Sequence, residues 1–525
     1  LDFILTPPIK LPCLLVYDIL VARENEEGLT NNDGRRRHKV PLYPFTVYYA
    51  ERTKHHCWRC KDVVFHCTDK AVCQQWVQTI NDQLSLLRSR PKRLLVYINP
   101  FSGKQHGERI YEQKVAPLFS QSSISTDVIV TKHANHARDH LETEADVEKY
   151  DGVVCVGGDG IFSEIVHGLL SRTQRDCGVD QNKFGQELVP CELRIGIIPA
   201  GSTDCICYAT TGTNDPVTSA LHVIMGDSQA MDVCSVYHKN TFLRYSTSLL
   251  GYGFYGDVLR DSEEKRWMGP ARYNFSGIKT FLSHQYYEGT VSFVPDKENL
   301  VFPRVKIGCR THCHICEKSA NRLSISRDRV YKMAKGKPDR EASDGGTWRV
   351  IQGKFLAINA ASISCACPRS PGGLSPSAHL ADGTTDLILV HKASRLDFLR
   401  HLIRHTNEDD QFDLPFVEVH RVQQFRFEPK HSDGTSEPKL IESSRKEVFN
   451  QTSMTRPRYS TWTCDGEVLP EVAIQVSVHC QLVKLFARGV ECGAQFDPFT
   501  LSVIDKFNGD WTELPCVIKR STPGT

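Results

Sequence analysis

Asp159 is the one ionisable residue in Gly157-Gly158-Asp159-Gly160, a turn that follows the apolar run Gly152-Val153-Val154-Cys155-Val156. Glycines let a backbone approach a ligand closely and adopt positive φ. The next ten residues, Ile161 to Leu170, carry apolar side chains at helical spacing. A helix that starts there aims its free N–H groups into the turn, an arrangement suited to phosphate. A carboxylate beside a phosphate site repels the ligand, so it needs a task. Two tasks fit: holding Mg2+, or taking the proton from an attacking hydroxyl.

Three further loops must be positioned with it. Leu94 to Ile98 reads as a buried strand, followed by Asn99-Pro100-Phe101-Ser102-Gly103-Lys104 and a helix from near Gly107 to about Phe119. This is not a Walker A loop, because no Ser or Thr follows Lys104, and it lacks the G-x-G-x-x-G of a dinucleotide site. A third strand, Asp127 to Thr131, leads into Lys132-His133-Ala134-Asn135-His136-Ala137 and a helix. A fourth, Leu193 to Ile198, ends in Pro199-Ala200-Gly201-Ser202-Thr203-Asp204. Four strand–loop–helix units in succession predict a parallel sheet with its ligand at the carboxyl ends of the strands. Any one of these loops alone is most often a tight turn; their order on successive strands carries the functional reading.

Together with Ala381 to Asp386 and Cys464-Asp465-Gly466-Glu467, these loops resemble the diacylglycerol kinase / sphingosine kinase family of lipid kinases. Longer stretches, including Leu249 to Asp257, Phe355 to Asn359 and Arg404 to Asn407, look like its ceramide kinase branch. The resemblance covers roughly residues 92–490. It implies ATP- and Mg2+-dependent phosphorylation of the primary hydroxyl of ceramide, giving ceramide 1-phosphate. Asp159 matches the family's general base. Asn99, Pro100, Phe101, Ser102, Gly103, Thr131, Lys132, His133, Ala134, Asn135, Glu164, Gly201, Ser202 and Thr203 match positions that hold ATP. Arg266 and Arg272 match a basic pair near the phosphates, and Asp465, Gly466 and Glu467 a C-terminal element that returns to the nucleotide. Gly157, Gly158, Asp159, Gly160 and Asp257 match positions facing the acceptor lipid. Ser102 and Ile161 depart from the pattern, standing where many relatives have glycine and threonine.

The resemblance also implies the fold: an α/β nucleotide-binding domain with a parallel sheet over 92–215, then an antiparallel β-sandwich lipid domain over 230–490. Residues 1–90 read as the later part of a pleckstrin-homology-like module, with strands at Thr46 to Tyr49 and Val63 to Cys67 and a helix carrying Trp76. Its first strands look short or missing, and the absent initiator Met suggests a fragment or processed start. Ceramide presented on a membrane is therefore expected to be used less well than ceramide in detergent. Alternation predicts strands at Leu243 to Leu249 and Gly289 to Val294. Polar, turn-rich stretches at 317–347 and 430–460 read as mobile inserts, and 491–525 as a tail.

Composition bounds the partners. The 525 residues carry 64 basic and 62 acidic side chains, a net charge of +2, which argues against bulk nucleic-acid binding. No apolar run reaches the roughly 18–20 residues of a membrane span, and no signal peptide is evident. A two-tailed lipid must then be met at a membrane surface, from the cytoplasmic side, with Golgi or plasma membrane expected from the family. The basic run Arg35 to Lys39 offers one contact for anionic lipid. Leu396 to His405, an apolar stripe with basic residues between, reads as a packed helix, a membrane-facing element or a calmodulin target; Ca2+ responsiveness is a trait of the resembled branch. The 20 cysteines read as reduced thiols or metal ligands. Cys309-x3-Cys313-x2-Cys316, flanked by His312 and His314, is the densest group and could hold structural Zn2+; Cys57 and Cys60, with His55, His56 and Cys67, form a weaker one. The alternatives are a sphingosine or diacylglycerol kinase, an NAD kinase sharing the Gly-Gly-Asp-Gly turn, and a lipid sensor without catalysis.

Overall fold

Apolar residues on both sides of four parallel strands set the architecture around the glycine loops. The computed structural model describes residues 18–25, 42–269, 271–296, 309, 313–321, 347–407, 409–430, 459–490 and 516–518. Of the expected inserts, 322–346 and 431–458 lie outside the described residues, as do Arg35 to Lys39 and all of 491–525 except one short strand.

The N-terminal sheet is antiparallel: β1 (Ile19–Glu24), β2 (Tyr43–Arg52) and β3 (Trp58–Cys67). It is closed by α1 (Lys70–Ser85), whose N-cap Asp69 accepts from the Ala71 amide at 2.7 Å. Trp76 packs from α1 onto the sheet's apolar cluster of Ile19, Phe45 and Val47.

The next units follow the expected order. They are β4 (Arg93–Ile98), α2 (Gly107–Ile110) running through a π turn into α3 (Ala116–Gln121), β5 (Ser125–Val130), α4 (His136–Thr143), β6 (Gly152–Gly157), α5 (Asp159–Asp176), β7 (Arg194–Pro199), α6 (Cys205–Thr211) and α7 (Pro216–Met225). The strands lie in the order β7-β6-β4-β5, all parallel. All six residues of β6 are buried, as expected for a strand covered on both faces. Leu95, Tyr97, Val153 and Cys155 pack toward α4 and α5; Val96, Ile98, Val154 and Val156 pack toward α3 and α7.

The C-terminal half begins with β8 (Ser228–His238), β9 (Thr241–Ser246), β10 (Leu249–Gly253), α8 (Phe254–Glu263), α9 (Ala271–Ser283) and β11 (Tyr287–Pro295). It continues with α10 (314–321), β12 (Arg349–Ala361), β13 (Thr385–His391), α11 (Arg395–Arg404), β14 (Val417–Pro429), β15 (Trp462–Cys464), β16 (Glu467–Val468) and β17 (Ile474–Phe486). The last strand, β18 (Cys516–Ile518), pairs with β3. The two long strands β12 and β14 each pair with β11 over one half and β13 over the other. The sheet thus folds back on itself around Phe293, Phe355, Phe425 and Trp462. The strand expected at Leu243 to Leu249 is split into β9 and β10, because Thr247 and Ser248 turn around the Asp465 carboxylate.

β17 joins the halves. Its first residues pair with β14, its length runs antiparallel to β8, and Lys484 and Leu485 pair parallel with Arg194 and Ile195 of β7. A buried ion pair fixes the β13–β14 register: Arg421 Nε lies 2.9 Å from Asp386 Oδ1, and Ser375 donates to Oδ2 at 2.6 Å. Arg421→Met leaves a carboxylate of 1% exposure without its cation and should cost about 3–5 kcal/mol in chemical denaturation. A loss below 1 kcal/mol would show that Ser375 alone satisfies Asp386.

Candidate functional site

The three glycine loops meet at the carboxyl ends of β4, β6 and β7, and they meet closely. A Cβ on Gly201 would stand 2.6 Å from the Gly158 Cα, and one on Gly103 would stand 2.6 Å from the Ala200 carbonyl. Gly103 also holds φ +54°. Within the first loop Asn99 Oδ1 accepts from the Phe101 amide at 2.9 Å, an Asx turn that sets the loop's exit. The Ser102 hydroxyl faces the Gly157–Gly158 turn, so the serine that departs from the pattern fits where it stands. Ile161 is 2% exposed in the core, which accounts for an apolar residue there.

Asp159 opens α5 at the centre of this convergence. Its Oδ2 accepts from the Cys205 amide at 3.0 Å and its Oδ1 from the Ile206 amide at 3.1 Å. These are the first two N–H groups of α6, which lack partners within their own helix. Burial pushes the Asp159 carboxyl above its ordinary range, and the Asp465 charge adds to the rise; the two amides oppose it.

Asp204, a residue the sequence reading did not single out as functional, stands beside it. It adopts φ +54° and accepts from the Gly201 amide at 2.9 Å. Burial, followed by the Asp159 charge, pushes its carboxyl up to about 7. The two carboxyls are thus raised together, Asp204 in part by the charge on Asp159. The signal was present in the sequence: an acid one residue past a Gly-Ser-Thr turn, opening the next helix.

Three other acids have protein partners. Glu164 accepts from the backbone of Asn135 and Ala137, tying the third loop to α5. Asp465 accepts from Ser246, Thr247, Ser248 and Leu249 at 2.7–3.1 Å. Glu467 pairs with Arg244, and Arg244 reaches Ser163 of α5 at 3.5 Å. Gly466 sits in the same turn at φ +87°. In the third loop, Thr131 donates to the Ile98 carbonyl, the Lys132 amide meets His136 Nδ1, His133 stacks near His136, and Asn135 adopts φ +64° before α4. Ala134 accepts at its carbonyl from His133. Ser202 and Thr203 are exposed at the site's mouth.

Arg266 and Arg272 converge on one partner, Glu263 at the end of α8. The structure pairs them with this helix rather than with the glycine loops. Asp257, on the same helix, accepts from Tyr287 at 2.5 Å, Ser460 at 2.8 Å and Arg260 at 2.9 Å, and burial raises its carboxyl. It lines a small cavity with Phe254, Thr280, His284 and Phe398.

Among the cysteines, Cys309, Cys313 and Cys316 come together, and His379 joins them from 63 residues beyond Cys316. His314 is exposed, and His312 lies outside the described residues. Cys57 faces Thr213 and Cys60 faces Gln121, so the weaker N-terminal group is split between partners.

Comparisons with known proteins identify the family. Three family profiles match: the ceramide kinase PH domain over residues 13–80, the diacylglycerol kinase catalytic domain over 93–236 and the ceramide kinase C-terminal domain over 302–495. The chain is 53% identical to ceramide kinase of Homo sapiens over 484 residues, covering 91% of this chain and 88% of that protein. It is 52% identical to ceramide kinase of Mus musculus, covering 91% and 90%. A solved putative diacylglycerol kinase from Bacillus anthracis str. Sterne covers 76% of this chain and 96% of its own, at 14% identity and a TM-score of 0.48.

The loop contacts yield a prediction. In Gly201→Ala the new Cβ would stand 2.6 Å from the Gly158 Cα, so two loops must part; phosphoryl transfer should fall about 100-fold. Gly160→Ala has nothing within 4 Å of its Cβ and should leave the melting temperature unchanged while raising the KM for ATP. Equal activity in both variants would show that loop contact does not shape the site.

Proposed function

The chain belongs to the ceramide kinase family, and from that premise we propose that it transfers the terminal phosphoryl group of ATP to the primary hydroxyl of ceramide with Asp159 as general base. One observation carries the assignment of the base: the Asp159 carboxylate lies where the three glycine loops meet, oriented by two amides of α6. Non-catalytic binding alone gives no reason for a desolvated carboxylate there.

The residues present fit a nucleotide with a divalent metal. Gly157, Gly158 and Gly201 leave no room for side chains, and Gly160 opens on free space. ATP supplies the phosphoryl group, and the metal bound with it offsets phosphate charge. We assign Asn99 to Gly103, Thr131 to Asn135 and Gly201 to Thr203 to the nucleotide. Glu164, Asp465 and Glu467 shape these loops through the donors they already accept. Arg266 and Arg272 approach the phosphates only by leaving Glu263, which makes α8 and α9 the elements that respond to the ligand.

A primary hydroxyl is a weak nucleophile at neutral pH. An ionised carboxylate within hydrogen-bond reach takes its proton as the new P–O bond forms, contributing about 10²–10⁴-fold. Asp159, held by the two α6 amides where the glycine loops meet, is the member of the pair placed to act as base. Radiolabelled transfer from ATP–Mg2+ in mixed micelles should label ceramide above sphingosine and diacylglycerol, and Asp159→Asn should lose about 10²–10⁴-fold of it. Full activity in Asp159→Asn would remove it from the base role, and preferential labelling of another lipid would move the substrate assignment.

The lipid arrives from a surface. Among the described residues no helix is long and apolar enough to cross a membrane. Among the described residues, eight of the fourteen large hydrophobic side chains that are exposed lie on residues 267–282 and on α11: Trp267, Tyr273, Phe275, Ile278, Leu282, Leu396, Leu399 and Ile403. That concentration selects one face. The two segments adjoin, with Arg395 donating to the Leu282 carbonyl at 3.1 Å and Phe281 stacking on Phe398, and their helices flank the Asp257 cavity. Lys279, Arg395 and Arg400 complement anionic headgroups. We assign this face to the membrane and Asp257 to the ceramide headgroup. Calmodulin could take α11 only by drawing Phe398 and His401 out of the core, whereas a membrane meets the face as it stands. Ile278→Glu with Leu399→Glu should cut transfer to ceramide in phosphatidylserine-containing vesicles at least tenfold and leave the micelle rate intact. Equal losses in both assays would place these side chains inside the enzyme's own packing.

A further inference from the structure

Cys309, Cys313, Cys316 and His379 each offer one ligand atom, and the four atoms all lie within 4.8 Å of one another. The Cys309 and Cys316 sulfurs are 3.4 Å apart, and Cys313 Sγ is 3.4 Å from His379 Nε2. In tetrahedral zinc, bonds of about 2.3 Å to sulfur and about 2.0 Å to nitrogen place ligand atoms about 3.5–3.8 Å from each other. The two short separations and the 4.8 Å limit on the rest bracket those distances, so the four atoms can close on one ion with small shifts. All four side chains are free of disulfides and only partly exposed or buried.

We propose that Cys309, Cys313, Cys316 and His379 form a structural Zn2+ site that clamps α10 to the 379–384 loop at the seam between the two halves of the sheet. Three thiolates with one imidazole are a soft set that favours zinc over Mg2+ or Ca2+, and four protein ligands leave no open position for catalysis. Loading converts three thiols to thiolates and releases their protons. It also makes a demand on His379. Its Nδ1 accepts from the Ala381 amide at 3.1 Å, so the proton of the metal-free ring sits on Nε2. Zinc displaces that proton, and Nδ1, protonated in its place, must give up the Ala381 N–H.

The surroundings already converge on the same point. Ser319 of α10 donates to the Asp382 carbonyl at 3.2 Å. Gln481 of β17 donates to the Cys316 carbonyl at 2.8 Å and the Ala381 carbonyl at 3.3 Å. Asp232 of β8 accepts from Gly383 at 2.6 Å and Gln481 at 2.7 Å. An eight-residue helix is marginal on its own, so α10 depends on its tertiary contacts, and a metal crosslink adds a further constraint. Cys309 also lines a cavity of about 350 Å³ together with Tyr208 and Ala209 of α6, the helix whose first amides orient Asp159.

The test uses the full chain, purified under reducing conditions, with zinc measured by mass spectrometry and the site refilled with Co2+. The account expects one zinc per chain, retained in Asp159→Asn and lost in Cys313→Ser and His379→Ala. It expects the Co2+ form to show intense tetrahedral d–d bands and a thiolate-to-metal charge-transfer band. The Co2+ spectrum needs no variant, so a misfolded substitution leaves the question decidable. No metal as purified and no uptake of added Zn2+ by the reduced chain would overturn the proposal. So would a Co2+ spectrum without thiolate charge transfer, or zinc retained in folded Cys313→Ser.

Discussion

The carboxylate of Asp159 binding the first two amides of α6 is the contact on which the site depends. It joins the loop after β6 to the helix after β7, and it does so inside the protein, where an unpaired carboxylate would be costly. Those two hydrogen bonds hold the charge in place; burial and Asp465 oppose it. The balance leaves a carboxylate that is oriented, poorly solvated and able to take a proton. The glycines are a consequence of the same contact. With α6 brought to Asp159, Gly158 and Gly201 must touch, and no side chain fits between them.

Around that contact the chain builds outward in layers of commitment. His167 accepts from the Tyr245 amide at 2.9 Å and couples α5 to β9. Asp465 gathers the β9–β10 turn, tying the C-terminal segment to the strands beside α5. β17 then threads both halves, pairing with β14, β8 and β7 in turn. Catalysis in this family rests on positioning and charge more than on covalent chemistry, and this construction supplies positioning from backbone donors. The peripheral face of α9 and α11 is built differently. It leaves apolar side chains uncovered beside a half-buried Asp257.

Much of this was legible in the sequence, for identifiable reasons. The parallel strands announce themselves because strands buried on both faces read as continuous apolar runs: Leu94 to Ile98 and Val153 to Val156 leave little ambiguity. The glycine loops follow from their position after those strands. The resemblance to lipid kinases added the distant Asp465 and Asp257, which spacing alone could not attach to a site. What escaped depends on contacts across the fold. Asp204 looked like the end of a loop, and only its approach to Asp159 makes it a titrating partner. His379 lies too far from Cys316 for ligand spacing to suggest it. The strand through Leu243 to Leu249 broke at Thr247 because a carboxylate from 218 residues away claimed its amide, a tertiary hydrogen bond that no local pattern encodes.

The central claim is that Asp159, oriented by the two α6 amides, accepts the proton. The most direct measurement is the pH dependence of single-turnover phosphoryl transfer to ceramide in the wild-type chain, Asp204→Asn and Asp159→Asn. The account predicts an acid limb lying above the ordinary carboxylate value of 3.8 in the wild type, because burial raises the Asp159 carboxyl. It predicts that Asp204→Asn keeps an acid limb, and that Asp159→Asn leaves only a slow rate without one. An acid limb that survives in Asp159→Asn would contradict the claim and assign the proton to another group.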